Sequence, residues 1–335
     1  MNKLTGVYIA AIVNATIVGL SFMFTKVAIE VSSPMDTLGY RFLIAWIALT
    51  LYRKYLVKDR KKLSLTNNKS ILSLSLLALF YPVLFFSFQA FGVNFASSAE
   101  GGIILAFSPA LTSILAFFFL KEKINMIQLL FISLSISGVV YIFYNNGISL
   151  EVSNLKLMGI GFLIISCISL SGYAVISRYL SVSYTPIQLT YVMVTLGLVF
   201  FNGFNIVTRL IQGTLIEYFL LITRVDFTVS VLFLGVLATF LTSYLSNYIL
   251  SKLSATNMSI FSNLSTIISI SAGALILNEE IYLYHIIGSF MIIMGVLGTN
   301  LSKRSINESV TESKFHKLYV INGGSKNRAH TDSRN

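Results

Sequence analysis

Charge is what this chain has least of: only 11% of its 335 residues are Asp, Glu, Lys or Arg, and 13 of these are acids. A soluble domain averages about 25%, so a chain this poor in charge is dissolved in lipid. Cysteine is nearly absent as well. The single Cys167 excludes a disulfide framework and, lying inside an apolar run, reads as a small buried hydrophobe. Three scattered histidines and one cysteine give no cluster at metal-ligand spacing and no triad, and there is no glycine-rich phosphate loop. A membrane-embedded transferase would need charged side chains converging on one face, and few exist. The chain therefore does not read as an enzyme, and no cofactor is expected.

What fills the sequence instead is apolar: 55% hydrophobic residues and a mean hydropathy of +0.80. A hydrocarbon core about 30 Å thick needs about 20 apolar residues per helix. Ten such runs lie near 5–28, 37–57, 70–91, 98–120, 125–144, 157–177, 186–208, 228–250, 255–277 and 282–302. Nearly everything before residue 303 is then span or short connection, and any activity must sit inside the bundle. The first run is longer than a signal-peptide core and lacks a small-residue cleavage site beyond it, so it is expected to stay as the first helix.

The net charge of +11 could suggest nucleic acid, but the positive residues follow the membrane. With the N-terminus cytoplasmic, 19 of the 24 Lys and Arg fall on inside segments, including Arg53 to Lys69 in the second loop and the tail from Lys303. Lys26, Lys156, Arg209 and Arg224 fall at or beyond the outer ends, and Arg41 lies within a span. This positive-inside bias predicts ten helices with both termini cytoplasmic, in the cell (plasma) membrane. The tail 303–335, rich in Ser, Asn, Lys and Arg, reads as a disordered basic cytoplasmic segment.

Shifting the chain by 157 residues lays one half on the other: Ala99-Glu100 on Thr256-Asn257, Pro109 on Thr266, Glu122 on Glu279, Gly138 on Gly295, Gln89 on Ser246. An offset of 152 pairs Lys26 with Arg178 and Pro34 with Pro186. Residues 1–144 and 145–302 then form two repeats of five helices each. Five is odd, so the copies insert with opposite topology, the inverted arrangement with which secondary transporters alternate access to a midplane site.

Several stretches carry a more specific likeness: Gly19-Leu-Ser21 with Lys26, Pro34, Arg41-Phe-Leu-Ile-Ala45, Ser108-Pro109 through Leu120-Lys-Glu122, Ala238 through Tyr244, Leu253-Ser-Ala255, and Leu277-Asn-Glu279. Over roughly residues 5–302 the chain resembles the EamA-type transporters of the drug/metabolite transporter superfamily. Two positions depart from that pattern, Thr266 for a proline and Val18 for a tryptophan, so the two halves need not bend alike. The resemblance implies export of a small solute and a central cavity lined by helices 1, 3, 4, 6, 8 and 9.

Polar side chains at helical spacing fall on those helices. They are Asn14 and Ser21 on the first, Tyr81, Phe85 and Gln89 on the third, Tyr173 on the sixth, Thr242, Ser246 and Asn247 on the eighth, and Asn257 and Asn263 on the ninth. Hydroxyls and amides at lipid depth turn to other helices or to water, so each either ties helices together or lines the cavity. Glu100 follows Ser97 at capping-box spacing, which leaves it a helix cap or a cavity acid. Pro109 is expected to kink the fourth helix, either shaping the cavity or as a plain packing bend. Arg41 is expected to pair with backbone carbonyls or Asp36, with substrate contact a further option. Glu122 reads as part of a solvated helix-end cluster with Glu279 on the opposite side, Lys26 as reaching the outer surface, and His285 as interfacial. The partners implied are a small-molecule substrate, an amino acid or similar, and the lipid bilayer. With few acids at depth apart from Glu100, uniport or exchange stands beside proton coupling. The sequence carries no signal for oligomeric state.

Overall fold

The computed structural model describes residues 3–55, 68–120, 125–148, 154–253, 258 and 262–298. The described residues are all helical or connecting, as uninterrupted apolar runs dictate when every backbone amide must be satisfied within its own segment. Helix α1 is Lys3–Glu30 and α2 is Pro34–Tyr55. α3 (Asn68–Ala78) and α4 (Phe85–Phe95) are joined by a π-helical stretch, Leu79–Leu84. α5 (Ser98–Leu105) and α6 (Ser108–Leu120) make the next traverse, followed by α7 (Met126–Ile148), α8 (Asn154–Leu180) and α9 (Pro186–Gln212). A short α10 (Leu215–Leu220) leads to α11 (Val225–Leu232) and α12 (Thr242–Lys252), with a second π stretch, Phe233–Leu241, between them. α13 is Ser262–Ile276 and α14 is Leu283–Gly298.

Among the described residues six helices are long and apolar enough to cross a membrane: Thr5–Glu30, Ile71–Phe95, Ser98–Phe119, Asn154–Leu180, Pro186–Gln212 and Val225–Lys252. Met126–Ile142, Leu264–Ile276 and Leu283–Gly298 are shorter apolar helices. Their outward faces carry bare Phe118, Phe119, Leu130, Leu210 and Phe290, a density of exposed large apolar side chains that acyl chains solvate and water does not.

Packing follows a paired pattern. α4 lies along α8 while α1 lies along α11 and α12; α1 also lies along α13 while α6 lies along α8; α2 meets α9, and α5 meets α13. α7 and α14 close on each other through small residues: Ser135 Oγ donates to the Ile292 carbonyl at 3.1 Å, and a Cβ on Gly138 would stand 2.8 Å from the Gly288 carbonyl.

Two breaks shape the interior. Pro82 has no amide to give, and Tyr81 before it leaves helical geometry (φ −146°, ψ 106°), widening the third traverse into a π stretch. In the fourth traverse the chain turns at Ala106 and Phe107, so Pro109 stands second in α6, where first-turn amides have no intrahelical partner anyway. The bend expected from Pro109 is thus a full interruption before it. α8 braces the break, with Ser171 Oγ donating to the Ser108 carbonyl at 3.1 Å and Cys167 Sγ to the Ile104 carbonyl at 3.4 Å.

Candidate functional site

Tyr81, Phe85 and Gln89 all reach one cavity between the helices: Phe85 and Gln89 share a face of α4, and Tyr81 enters from the π stretch before it. Counted as space open to the centres of water molecules, its free volume is about 100 Å³, room for several waters. α1 contributes Asn14, Val18 and Ser21, α8 contributes Leu170 and Tyr173, and α12 contributes Thr242 and Ser246. Arg41 of α2 and Ser108 and Thr112 of α6 complete its polar lining with Ser265 of α13.

One wall is aromatic. The Tyr173 and Tyr81 rings stack with centres 4.5 Å apart, Tyr81 stacks on Phe85 at 5.0 Å, and Phe85 meets Phe86 edge-on at 4.8 Å. The Arg41 guanidinium carbon lies 4.1 Å over the Phe86 ring, a cation held on a π face. Arg41 Nε donates to Thr239 Oγ1 at 2.5 Å and Nη2 to the Ala238 carbonyl at 2.9 Å. Asp36, the other partner considered for it, pairs with Arg209 at 2.5 Å instead. That ion pair adjoins α10, where Tyr218 donates to Asn202 Oδ1 at 3.1 Å. Burial pushes the Tyr218 phenol up, so it stays a protonated donor.

The hydroxyls of the opposite wall mostly satisfy themselves: Ser21 Oγ donates to the Val18 carbonyl at 2.7 Å and Thr242 Oγ1 to Ala238 at 2.9 Å. Ser246 Oγ lies 3.5 Å from Asn14 Oδ1. Gln89 differs. It is 3% exposed, and its amide has no hydrogen-bond partner among the described residues. The amide borders the cavity, where water can meet it.

Asn247 lies behind the cavity rather than on it. Its Oδ1 accepts from the Tyr173 hydroxyl at 3.0 Å and from Ser177 at 2.8 Å, and its Nδ2 donates to Thr190 at 2.9 Å. The amide therefore fixes the Tyr173 ring in the aromatic wall. Asn247→Ala is expected to cost about 2–4 kcal/mol, because three buried groups lose a partner at once. Tyr173→Phe, which removes one bond, should cost less. Thermal unfolding of the purified proteins checks the order, and equal melting for both would show that Asn247 does not fix the ring.

Glu100 is buried at the start of α5, off the cavity lining. Its carboxylate accepts from Ser97 N at 2.8 Å while Ser97 Oγ accepts from Glu100 N at 3.0 Å, a complete capping box. Lys156 approaches it at 3.2 Å and His285 at 3.4 Å. His285, near the start of α14, is thus buried beside an acid. Lys26 likewise turns inward, donating to the carbonyls of Val93 at 3.0 Å and Ala96 at 3.1 Å at the end of α4. Arg178 does the same at the end of α12, donating to Leu250 at 2.7 Å. Glu279 caps α5 from α13's side, accepting from Ser98 N at 2.8 Å and Ala99 N at 3.1 Å. Glu122, Asn257 and the side chain of Asn263 lie outside the described residues.

Several cavity residues were not singled out in the sequence. Ser108 and Thr112 stand four apart on one face, a spacing that could have flagged them. Phe86, directly after Phe85, carries no such signal.

The EamA-like transporter family model matches the chain twice, over residues 5–144 and 157–301. The uncharacterized transporter YcxC of Bacillus subtilis is 40% identical over 90% of this chain and 95% of its own length. The uncharacterized transporter YetK of the same organism is 26% identical over 91% and 89%, and an uncharacterized transporter of Archaeoglobus fulgidus is 25% identical over 86% and 96%. A solved crystal structure shares the fold at a TM-score of 0.55 and 15% identity, covering 87% of this chain and 97% of that one. With its apolar helices and these matches, the chain is a multi-pass membrane protein and belongs to the EamA-like transporter family.

Proposed function

We propose that the protein is a ten-helix carrier of the cell membrane that moves a small polar or amphipathic metabolite, outward, by alternating access between two inverted five-helix halves. The observation that carries this reading is the cavity: a scaffold needs no polar-lined space between its helices, whereas a carrier does, and the Gln89 amide borders it without a partner among the described residues. In this reading the six long helices, the three shorter ones and α2 are taken as the ten traverses. The packing supports the halves, since α4 on α8 is repeated by α12 on α1, and α6 on α8 by α13 on α1.

Caps at the ends repeat in the same way, Lys26 on Val93 and Arg178 on Leu250, whose carbonyls stand 157 residues apart. At the end of the bundle that holds Lys26, contacts cross between the halves: Glu279 with α5, Lys156 and His285 with Glu100, and Arg209 with Asp36. Alternating access requires these to part when that end opens. Arg53, Arg178 and Lys252 gather at the other end, which supports cytoplasmic termini. The described lining holds no carboxylate, which favours uniport or exchange over proton antiport.

Metabolite profiling of the medium around overexpressing cells tests the reading. A solute should accumulate outside with the wild type and fall at least about tenfold with Gln89→Ala at matched membrane abundance. Depletion from the medium would reverse the direction, and no change in any solute would remove the carrier assignment.

A further inference from the structure

Resting on the carrier reading, we infer that Arg41 is the receptor for a carboxylate, and that the transported solute is an organic acid or amino acid whose apolar part lies against the aromatic wall. Arg41 is 2% exposed and lines the cavity, yet among the described residues no carboxylate pairs with it. A buried guanidinium without a counter-ion is expensive, and proteins retain one where a ligand supplies the missing charge.

Geometry narrows the ligand further. A guanidinium carries five N–H donors in a planar fork. The Nε edge is spent, on Thr239 and on the Ala238 carbonyl, and these two bonds fix the plane of the group. The Phe86 ring covers one face. What remains is the end-on edge formed by Nη1 and Nη2, whose two parallel N–H bonds match the two oxygens of a carboxylate. The cavity that Arg41 lines also offers Tyr81, Phe85 and Tyr173 to an apolar body and the Gln89 amide to one further polar group.

Purified wild-type protein in detergent should be melted against matched acid and amide pairs: acetate and acetamide, hexanoate and hexanamide, phenylacetate and phenylacetamide, 3-phenylpropionate and its amide, and L-phenylalanine and L-phenylalaninamide. The fluorescence of Trp46, the sole tryptophan, reports unfolding. At least one acid should stabilise the protein with an apparent affinity about tenfold or more above that of its amide. Arg41→Gln should abolish that preference, and Arg41→Lys, which keeps charge but not the fork, should restore it only in part. Equal response to acid and amide, a preference that survives in Arg41→Gln, or silence across all the acids would overturn the assignment. The wild-type comparison decides it even where a variant fails to fold. Flux of the preferred acid into proteoliposomes separates the two readings: binding with no flux would sink the carrier and leave the anion site standing.

Discussion

Glu279→Ala should lower the stability of the purified protein by about 2–4 kcal/mol, read as a fall in the midpoint of thermal unfolding. The helix start at Ser98 presents amides with no intrahelical acceptor, and a second helix end delivers the acceptor from 181 residues away. Delivery depends on a turn. In the last turn of α13 the Gly273 carbonyl accepts from both Leu277 N at 3.2 Å and Glu279 N at 3.0 Å, and Asn278 adopts φ 52° to make that reversal. Glu279 Oε1 then meets Ser98 N, and Oε2 meets Ser98 Oγ at 2.8 Å and Ala99 N at 3.1 Å. Alanine strips three donors of their partner at the positive end of α5, where a carboxylate also gains from the helix dipole. Glu279→Gln keeps one carbonyl oxygen and loses the charge, so it should fall between alanine and the wild type. If the alanine variant melts with the wild type, the cross-half contact contributes nothing.

Gly295→Val is expected to be as damaging through a different cause. A Cβ at this position would stand 2.5 Å from the Phe131 carbonyl oxygen and 2.7 Å from Ser135 N. Both are backbone atoms of α7, so no rotamer change makes room, and the helices must separate. Separation also breaks the Ser135 bond to Ile292. Overpacking costs about 1–3 kcal/mol where side chains can give way, and more is expected here. Membrane abundance and thermal unfolding read the loss. Gly161, where an added Cβ meets nothing within 4 Å, supplies the control: Gly161→Val should leave both measurements close to wild type.

The limits of sequence reading follow from what helical periodicity can carry. Apolar runs and i, i+4 stripes are local, which is why Tyr81, Phe85 and Gln89 could be grouped before any coordinates and do share one cavity. Choosing between cavity and helix partner is not local. Asn247 shares its helix with Ser246, yet Thr190 and Ser177 from α9 and α8 claim it, and nothing near residue 247 announces them. The same holds for Glu100, whose capping box is legible three residues away, whereas its neighbour His285 lies 185 residues on. Lys26 misled for a related reason: a lysine near a helix end ordinarily reaches for water, but α4 ends within its reach and its carbonyls need a donor. Pro82 is legible in the third run, but a proline alone does not say whether a helix kinks, widens or stops there.

The lengths of the long traverses bear on the membrane itself. Asn154–Leu180 and Pro186–Gln212 have 27 residues each and Val225–Lys252 has 28. At 1.5 Å per residue they run to about 40 Å, against a hydrocarbon slab of about 30 Å. They must lean, or push their ends among the headgroups. If the proposed rocking changes that lean, it changes the thickness of lipid the protein asks for, and transport should then depend on the acyl-chain length of the bilayer.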